Sequence, residues 1–467
     1  MSSLHYQAIV LGAGPGGYPC AIRLGQLGVK TLVIEREYWG GVCLNVGCIP
    51  SKALITAGKR LEEFQHADAM GIEFTGELSV NMTKLQAWKN SVTGKLSGGV
   101  RTLLKGNKVE MMEGSATFVG PHELEVMTKE GPKRLTADHI VIATGSRPIE
   151  IPGFSFKDAR ILDSTKALAL PAIPKRLAVI GGGYIGLEMG SLYRKLGSEV
   201  TVIEMADQVL PGFDPDVVKL IARKLKKSGV VVQTEAQARG WEETDEGAVL
   251  TYKTPDGEKT VTVDAILVTV GRRPNTDQVD LEKTGVKMAG RFIETDKQLK
   301  TSVAGLYAIG DCTTGLMLAH KATHDGEICA EVIAGHKAFN DAKTVPAVVF
   351  TDPEIATAGL QEHEARAAGF DLRVGKVPFA AIGRALTTND TDGFIKVIAN
   401  RADGRILGVT IVGPHASDLI SECVLAVEME CELRDIGLSI HPHPTLSEGI
   451  MEAAKAALGE AVHILNS

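Results

Sequence analysis

An internal repeat constrains the fold of this chain more than any other feature of its sequence. The segments AIVLGAGPGG and QLGVKTLVIE align without a gap with the later segments LAVIGGGYIG and KLGSEVTVIE. Every matched pair has the same offset of 169 positions, from Gly12 and Gly181 through to Glu35 and Glu204. Each copy predicts a strand, a glycine turn, a helix, a second strand and an acidic residue, which is the pattern of a dinucleotide-binding fold.

The glycines and acids of the two copies are the first candidate binding residues. Glycines in such a turn let the backbone approach a pyrophosphate, whose charge lies at the helix N-terminus, and the acid accepts hydrogen bonds from ribose hydroxyls. One glycine motif alone could serve tight packing, but two copies with matching acids favour two bound dinucleotides. The candidates are Gly12, Gly14, Gly16, Gly17 and Glu35 in the first copy and Gly181, Gly183, Gly186 and Glu204 in the second.

Two cysteines, Cys43 and Cys48, follow the first copy in the segment WGGVCLNVGCIPSK. On a regular helix their Cα atoms would lie roughly 8 to 9 Å apart, whereas a disulfide needs about 4.4 to 6.8 Å. A bridge therefore requires a distorted turn, for which Gly47 and Pro50 supply the backbone properties. A helix starting near Pro50 would place Cys48 at its N-terminus, where a thiolate is favoured. Two buried structural cysteines, or half of a metal site, are the alternatives.

A thiol pair beside one of two dinucleotide sites predicts an electron relay. A nicotinamide accepts or delivers hydride, and a flavin can exchange two electrons with a disulfide. The first copy adjoins the cysteines and is predicted to hold FAD, and the second is predicted to hold the nicotinamide. In the second copy Met205 and Ala206 follow Glu204, with no arginine to bind a 2′-phosphate, so charge repulsion favours NAD over NADP. The alternative for Glu204 is a solvated carboxylate at a strand end.

Charge and composition argue against several classes of partner. The formal net charge of -7 disfavours nucleic acid, and no apolar run in the sequence is expected to cross a bilayer. The amino terminus enters its first strand within a few residues, which leaves no room for a signal peptide. Seven cysteines in a chain of 467 residues then indicate a reducing, cytoplasmic compartment. Five are expected to be structural thiols, namely Cys20, Cys312, Cys329, Cys423 and Cys431.

Clusters of Gly, Arg and Pro after two apolar strands mark the crossings between domains. The strands in VIATGSRPIEIPGF and LVTVGRRPNTD both end in this way, so the second nucleotide fold is interpreted as an insertion in the first. After it, YAIGDC leads into Gly310 and Asp311, where the acid can bind ribityl hydroxyls or act as a simple helix cap. The sequence thus predicts an α/β protein with an FAD-binding domain at 1–147, an inserted NAD-binding domain at 148–273, a central domain completing the FAD site at 274–345, and a C-terminal α+β domain at 346–467.

The segment HPHPTLSEGI offers a base for dithiol oxidation. An imidazole, with an unperturbed pKa of about 6.5, can take a proton from a thiol whose pKa is about 8.5. Glu448 can bind the other ring nitrogen of His443 and fix its tautomer. On these residues alone, a packed or surface histidine is the stronger alternative.

Six motifs together resemble the flavin-dependent pyridine nucleotide disulfide oxidoreductases: GAGPGG, GGVCLNVGCIPSK, ATGSRP, GGGYIGLE, AIGD and HPHPTLSE. The resemblance extends from residue 6 to about residue 465, and its most specific parts are the cysteine segment and HPTLSE. It implies two Rossmann-like domains, with the NAD domain inserted in the FAD domain, a central domain and a C-terminal dimerisation domain. It also implies a homodimer in which the histidine base comes from the other subunit.

The resemblance assigns roles residue by residue. Cys43 is similar to the thiol that attacks the substrate, Cys48 to the thiol that lies against the flavin, and His443 with Glu448 to the base and its orienting acid. The remaining positions resemble cofactor contacts: Lys52 near the flavin and paired with Glu188, Tyr184 over the nicotinamide pocket, Gly114 near the adenine, and, in the motifs around them, Thr144, Gly145, Gly271, Gly310, Asp311, Leu318, Ala319 and His320. No metal site is implied.

Two segments depart from the family pattern. Pro19 and Cys20 stand where small residues are usual, and a proline inside a helix costs a hydrogen bond unless it lies in the first turn. The sequence therefore does not decide at which residue the first helix begins. Pro442 stands before the base where a small residue is more common, which can alter that loop.

Within the family, the chain most resembles the members that oxidise dihydrolipoyl groups with NAD. That implies a partner, the lipoyl-bearing protein of a 2-oxo acid dehydrogenase or glycine cleavage complex. A glutathione-type reductase is disfavoured by Glu204, a mercuric reductase would need a terminal cysteine pair that AVHILNS lacks, and a flavin transhydrogenase would lack the two active cysteines. A redox-silent structural subunit is the alternative from another class.

Overall fold

The computed structural model describes residues 4–466 and divides the chain into two compact units. The first unit comprises the chain up to Ile173 together with Val270–Asp341. The second comprises Pro174–Thr269 together with the chain from Ala342 onward. The second dinucleotide copy therefore interrupts the unit that contains the first copy, as the repeat predicted.

The elements of the first unit lie in two stretches of the chain. Before the insertion they are β1 (Leu4–Leu11), α1 (Gly17–Gln26), β2 (Thr31–Glu35), α2 (Gly41–Val46), α3 (Cys48–Gln65), α4 (Met82–Gly106), β3 (Glu110–Glu113), β4 (Ser115–Gly120), β5 (Glu123–Thr128), β6 (Gly131–Ile142), β7 (Ser146–Pro148), β8 (Ile161–Leu162) and α5 (Ser164–Leu168). The insertion contains β9 (Arg176–Ile180), α6 (Tyr184–Lys195), β10 (Glu199–Ile203), α7 (Pro215–Lys227), β11 (Val231–Gln233), β12 (Gln237–Thr244), β13 (Gly247–Thr254), β14 (Gly257–Val263) and β15 (Ala265–Val268).

The first unit then resumes with short strands and one long helix. These are β16 (Arg272–Pro274), β17 (Met288–Ala289), β18 (Phe292–Ile293), β19 (Leu306–Ala308) and α8 (Ala319–Ile333). The last segment belongs to the second unit and contains β20 (Ala347–Val349), β21 (Glu354–Gly359), α9 (Glu362–Ala367), β22 (Leu372–Pro378), α10 (Gly383–Thr387), β23 (Phe394–Asn400), β24 (Ile406–Gly413), α11 (Ala416–Glu428), α12 (Leu433–Leu438) and α13 (Glu448–Leu458).

A largely parallel sheet forms the centre of the first unit. Its strand order is β3-β2-β1-β6-β5-β4, and β19 also pairs with β6. In β1, Ala8 and Val10 pack in one hydrophobic cluster with α1 and α8, whereas Ile9 and Leu11 pack in another on the opposite face. Burial on both faces explains why β1 ends in an unbroken apolar run. The glycine turn follows Leu11 at the carboxyl edge of the parallel strands, where α/β sheets bind ligands.

The insertion repeats this arrangement, and the last segment adds a different one. Parallel strands in the insertion have the order β11-β10-β9-β15, which matches β3-β2-β1-β6. An antiparallel sheet, β12-β13-β14, lies beside them in the sequence. The last segment forms the antiparallel sheet β20-β21-β24-β23-β22, and α11 and α13 contribute to its core. The predicted α/β class, with two Rossmann-like domains and a C-terminal α+β domain, is confirmed.

The compact units divide the chain at positions that differ from the predicted domain boundaries. Residues 148–173, predicted as the start of the NAD domain, belong to the first unit. The reason is that α4 binds this stretch through the Leu168 carbonyl, which accepts from Lys89 Nζ at 2.8 Å and from Gln86 Nε2 at 3.2 Å. The later divisions, after Thr269 and Asp341, lie four residues before the predicted ones. The four-domain scheme itself stays a prediction.

One helical stretch, Gly41–Gln65, is long and apolar enough to cross a membrane by length and composition alone. The sequence predicted no run that crosses a bilayer, and this stretch reaches its length because α2 and α3 follow one another with a single residue between them. That residue, Gly47, has φ −136° and ψ −109°, so the stretch is two helices and not one.

Candidate active site

Glycine is required in the first dinucleotide turn by the backbone conformation and by close packing. Gly12 has a positive φ of 104°, and a Cβ on it would lie 2.4 Å from the Ala143 carbonyl oxygen. A Cβ on Gly17 would lie 1.8 Å from the Gly12 carbonyl oxygen. These glycines therefore bring the first turn of α1 against the ends of β1 and β6. Gly16 is close to α8 in the same way, since its Cβ would lie 3.1 Å from the Ala322 oxygen.

The second turn repeats this geometry. Gly181 has φ 106°, and a Cβ on Gly186 would lie 2.1 Å from the Gly181 oxygen. The Gly181 N–H donates to the Ile203 carbonyl at 2.9 Å, as Gly12 donates to Ile34 at 2.8 Å. Packing does not explain Gly183, because no atom lies within 4 Å of an added Cβ there. Its open face leaves room for a pyrophosphate to approach the backbone.

The two predicted acids are held by matching backbone hydrogen bonds. Glu35 accepts from the Ala13 N–H at 2.7 Å and from the Glu37 N–H at 2.8 Å. Glu204 accepts from the Gly182 N–H at 2.6 Å and from the Ala206 N–H at 2.7 Å, positions with the same offset of 169. Glu35 Oε1 also accepts from the Tyr38 N–H at 3.0 Å, so Oε2 is the Glu35 oxygen that retains an acceptor position for a ribose hydroxyl, whereas both oxygens of Glu204 retain one.

Close packing also places the cysteine segment against the first turn. The Gly40 N–H donates to the Ala13 carbonyl at 2.9 Å, and a Cβ on Gly41 would lie 2.5 Å from the Gly14 Cα. The next helix begins at Cys48, so this thiol lies at the N-terminus of α3, as predicted. The thiol pair and the first dinucleotide turn are therefore neighbours within one unit.

The structure holds Cys43 and Cys48 as thiols in contact, with Cys43 half-buried and Cys48 exposed. The hydrogen bond with Cys48, and after it burial, raise the pKa of the Cys43 thiol, while Lys52 partly lowers it. Cys43 is thus kept protonated and can donate its S–H to a thiolate on Cys48. This arrangement is the dithiol form of the pair that the sequence predicts to cycle with a disulfide.

The Gly310–Cys312 turn lies beside the end of β6. Ser146 Oγ donates to Asp311 Oδ2 at 2.5 Å and accepts from Arg272 Nε at 2.8 Å. Asn275 joins the two domain-crossing segments, since its Nδ2 donates to the Thr144 carbonyl and its N–H to the Gly145 carbonyl, both at 2.9 Å.

The other predicted cofactor contacts of the first unit lie at element ends. Gly114 donates its N–H to the Glu35 carbonyl at 3.0 Å, which places it beside the first acid. Gly271 has φ 120° and accepts from the Ile149 N–H at 3.1 Å. Leu318 caps α8, which begins with Ala319 and His320.

The second unit carries the predicted base. His443 Nδ1 lies 2.9 Å from Glu448 Oε1, and the Thr445 N–H donates to Glu448 Oε2 at 2.8 Å. Partial burial raises the pKa of Glu448, but the Thr445 N–H and the His443 side chain outweigh it and hold the pKa below its usual range. The His443 side chain is 77% exposed, so the ring projects its other nitrogen away from this unit. The neighbouring His441, unlike His443, is buried, since its side chain is only 5% exposed and contacts Glu422.

The pair predicted between Lys52 and Glu188 would join the two units and stays a prediction. Within the second unit, Glu188 is 4% exposed and its Oε1 accepts from the Phe350 N–H at 2.9 Å. Tyr184, the first residue of α6, is 41% exposed.

Comparison with known proteins decides the family. The model of the pyridine nucleotide-disulphide oxidoreductases matches residues 6–326, and the model of their dimerisation domain matches residues 345–454. The chain belongs to this family. It is 50% identical over 464 residues to a dihydrolipoyl dehydrogenase of Geobacillus stearothermophilus, covering 99% of this chain and 98% of the relative. It is 51% identical over 460 residues to a dihydrolipoyl dehydrogenase of Bacillus subtilis, covering 98% and 97%.

Solved structures agree with this assignment. The fold matches LpdA of Mycobacterium tuberculosis with a TM-score of 0.89 at 29% identity, covering 97% of this chain and 99% of that one. It matches the HOCl-induced flavoprotein disulfide reductase RclA of Escherichia coli with a TM-score of 0.87 at 28% identity, covering 97% and 99%. The match to the family's dimerisation domain supports a homodimer.

The family uses FAD and NAD, and both turns of this member fit such groups. Gly183 is open where a pyrophosphate must approach, and Gly14 has only the Gly41 Cα, at 3.8 Å, near an added Cβ. Glu35 and Glu204 are placed to bind a ribose. The turns are alike in geometry, and what distinguishes the first is its contact with the thiol segment.

The departures at Pro19 and Pro442 are accommodated locally. Pro19 is the third residue of α1, so the hydrogen bond it cannot donate lies in the first turn. The Pro15 carbonyl, which an N–H at position 19 would reach, accepts instead from Thr323 Oγ1 of α8 at 2.9 Å. The Pro442 carbonyl accepts from Thr445 Oγ1 at 2.7 Å, which closes the loop before the base.

Sequence reasoning missed three side chains whose hydrogen bonds hold the segments around Asp311 and Thr144 in place, namely Ser146, Arg272 and Asn275. They stand in the Gly, Arg and Pro clusters that were used only as domain boundaries. The signal that could have found them is the pairing of those clusters, since β7 and β16 form a two-stranded antiparallel sheet.

Proposed function

We propose that the chain is an NAD-dependent dihydrolipoyl dehydrogenase that oxidises protein-bound dihydrolipoyl groups to the lipoyl disulfide. The observation that carries this proposal is the contact between the segment that bears the dithiol and a dinucleotide turn, through Gly41 and Gly14, with Cys48 at the start of α3. The chain shares about half of its residues with dihydrolipoyl dehydrogenases over nearly its whole length, which supports dihydrolipoyl groups as the substrate class.

The chemistry begins with the thiol pair oxidised to a disulfide. A dihydrolipoyl thiolate attacks Cys43 Sγ, the bond between Cys43 and Cys48 breaks, and Cys48 leaves as a thiolate. The second dihydrolipoyl thiolate then attacks the substrate sulfur bound to Cys43, which closes the lipoyl disulfide and releases Cys43. The substrate loses two electrons, and the protein disulfide gains them.

His443 and Glu448 handle the protons of these steps. Glu448 occupies Nδ1 of the imidazole, so Nε2 is the atom that accepts a proton from a dihydrolipoyl thiol. Of the two protons released, one ends on Cys43 and the other on His443 as an imidazolium, while Cys48 remains a thiolate. The low pKa of Glu448 keeps that carboxylate ionised and able to stabilise the imidazolium.

The glycine turn and acid of the first copy would hold FAD, and those of the second copy would hold NAD. Together the two groups would supply the two-electron acceptor that returns the thiols to the disulfide. Lys52 would lie near the flavin with Glu188, and Tyr184 would cover the nicotinamide pocket.

Glu204 accounts for the proposed choice of NAD. Its carboxylate is fixed at the end of β10, and the neighbouring Met205 side chain, 71% exposed, offers no charge to a 2′-phosphate. Replacing Glu204→Ala together with Met205→Arg should weaken NAD and admit NADP, because it removes repulsion and adds a phosphate partner. Ratios of kcat/KM for the two coenzymes measure this, with Asp207→Ala, an exposed neighbour, as control. An unchanged ratio would show that Glu204 does not line the ribose site.

The proposed substrate is tested by turnover of the purified holoenzyme. Dihydrolipoamide with NAD should be oxidised with a kcat/KM far above that for glutathione disulfide reduction with NADPH. A preference for glutathione would instead support the glutathione-type alternative, and protein without a flavin absorption band would support a redox-silent subunit.

Cytoplasmic location and a lipoyl-bearing partner complete the proposal. The physiological substrate would be the lipoyl group on a protein of a 2-oxo acid dehydrogenase or glycine cleavage complex, and the similarity to dihydrolipoyl dehydrogenases supports a lipoyl-bearing partner. Co-purification of the enzyme with such a lipoylated protein tests the partner.

A further inference from the structure

Helix α8 carries a fully buried carboxylate that neither the motifs nor the proposed chemistry uses. Asp325 is 0% exposed in the interior of the first unit. A carboxylate is costly to remove from water unless cations and hydrogen-bond donors satisfy it. Its partners therefore show what the side chain holds in place.

Asp325 joins three separate parts of the chain. Its Oδ2 accepts from Lys321 Nζ, one helical turn earlier, at 2.7 Å. The same oxygen accepts from the Gly310 N–H at 3.1 Å, and Oδ1 accepts from Asn340 Nδ2 at 3.0 Å. The carboxylate thus ties α8 to the Gly310–Cys312 turn and to the segment that follows the helix.

The Gly310 turn is the part of this cluster that leads to the cofactor site. Gly310 has φ 71°, a left-handed conformation that glycine adopts readily. The next residue is Asp311, whose carboxylate accepts from Ser146 at 2.5 Å. The bond from Gly310 to Asp325 therefore fixes the backbone from which Asp311 projects.

We propose that Asp325 is a positioning residue of the FAD site. Its carboxylate, whose charge Lys321 balances, holds the backbone of the Gly310–Asp311 turn in the orientation that presents Asp311 to the flavin nucleotide. The inference rests on the proposed placement of FAD at the first dinucleotide turn. It assigns Asp325 no contact with FAD, since the side chain is entirely buried in protein. A charged acceptor is suited to this task because hydrogen bonds to an ionised group are shorter and stronger than neutral ones.

The test compares two double variants that both remove the buried ion pair. Asp325→Ala with Lys321→Met leaves the Gly310 N–H without its acceptor, whereas Asp325→Asn with Lys321→Met keeps one acceptor oxygen. The release of FAD from each holoenzyme is followed by the rise in flavin fluorescence on dilution. We expect the alanine variant to release FAD about tenfold faster than the unmodified enzyme, as the loss of one buried hydrogen bond would cause. The asparagine variant should lie between them.

Two controls separate positioning from general loss of stability. Glu327→Gln changes an exposed acid on the same helix and should release FAD at the normal rate. Leu124→Ala opens a cavity in β5, at a position paired with Phe118 of β4 and Leu135 of β6, and lowers the stability of the core that Leu124 shares with Cys312 without removing a hydrogen bond of Asp325. Asp325 is merely structural if Leu124→Ala accelerates FAD release as much as the alanine variant does at an equal loss of thermal stability.

The outcomes also distinguish this inference from the function it rests on. An unmodified protein that binds no FAD overturns both. An unmodified protein that binds FAD, together with an alanine variant that releases it at the normal rate, overturns only the role of Asp325. If the alanine variant does not fold, the asparagine variant decides, since its FAD release must still exceed that of the unmodified enzyme.

Discussion

At the scale of single residues, Cys43 and Cys48 are not equivalent although they belong to one redox pair. Cys43 is half-buried and kept protonated by its contact with Cys48 and by burial. Cys48 stands at the N-terminus of an 18-residue helix, where backbone N–H groups and the helix dipole favour a thiolate. We therefore assign Cys48 to the flavin and Cys43 to the substrate.

This assignment predicts different spectra for two serine variants. Cys43→Ser leaves a thiolate on Cys48 beside oxidised FAD and should give a long-wavelength charge-transfer band, whereas Cys48→Ser should not. Both should lose dithiol turnover and keep FAD. Cys431→Ser, a half-buried cysteine of the second unit, should change neither spectrum nor turnover. Identical spectra from the first two variants would reverse or void the assignment.

Residues of the site could be predicted from the sequence where the chemistry depends on local spacing. Glu35 and Glu204 follow their glycine turns at a fixed distance along the chain, so the repeat revealed them. Asn275 and Asp325 could not be found in this way. Each acts on a turn far away in sequence, and which side chain meets that turn depends on how β16 and α8 pack.

At the scale of elements, the first turn of α1 contains a proline, and a side chain of another helix supplies the hydrogen bond that this proline cannot donate. Tyr18 and Cys20 donate to Gly14 and Gly16, but Pro19 cannot donate to the Pro15 carbonyl between them. Thr323 of α8 donates there instead. The sequence marked Pro19 as a departure, yet only the packing of α8 on α1 shows how it is tolerated.

A double-mutant cycle tests this compensation. Thr323→Val should destabilise the enzyme by about 1 kcal/mol because it removes one hydrogen bond. In a Pro19→Ala background the same change should cost less, since the backbone N–H gained at position 19 can donate to the Pro15 carbonyl. Midpoints of urea unfolding, followed by flavin fluorescence, give the coupling. Equal effects of Thr323→Val in both backgrounds would show that the two groups act independently.

The N-terminus of α7 is held to β23 by a buried ion pair. Lys396 is 2% exposed, and its Nζ lies 2.7 Å from Asp214 Oδ2. Burial raises the pKa of Asp214, but the Lys396 side chain and then His363 outweigh it and lower the pKa to about 2. The contact joins the insertion to the last segment within the second unit.

The direction of the Asp214 shift predicts how stability depends on pH. The pKa in the folded protein lies below that of an unfolded carboxyl, about 3.9. The pair therefore stabilises the fold fully above about pH 5 and is lost as the pH falls toward 2. Asp214→Asn should be less stable at pH 7 and should lose less stability on acidification, measured by circular dichroism. Asp256→Asn, an exposed acid of the same unit, should leave the acid transition unchanged. An acid transition of Asp214→Asn as steep as that of the unmodified enzyme would contradict this.

Element boundaries followed from sequence where a backbone property enforces them. The distorted turn at Gly47 and a helix start near Pro50 were predicted because glycine frees the backbone and proline restricts it, and the helix begins two residues earlier, at Cys48. The grouping of residues 148–173 with the first unit was not predicted. It depends on hydrogen bonds from Lys89 and Gln86 of α4 to a backbone carbonyl some eighty positions later in the sequence.

At the scale of the whole molecule, the second unit exposes apolar side chains around the proposed base. Leu438 is 76% exposed and Ile440 is 98% exposed, just before His443, and Leu465 near the end of the chain is 96% exposed. Exposed apolar surface of this kind marks an interface. Together with the match to the family's dimerisation domain, it supports a homodimer. We propose that in this dimer each His443 serves the thiol pair of its partner.

Complementation between two inactive variants tests this shared site most directly. Homodimers of Cys48→Ser and of His443→Gln should each be nearly inactive. A mixed dimer, isolated with two different tags, places both lesions in one site and leaves the other site intact. We predict that it oxidises dihydrolipoamide at about half the rate of the unmodified dimer. Mixed dimers that form but remain at the parental level would contradict the account, because the base would then act within its own chain or would not be His443.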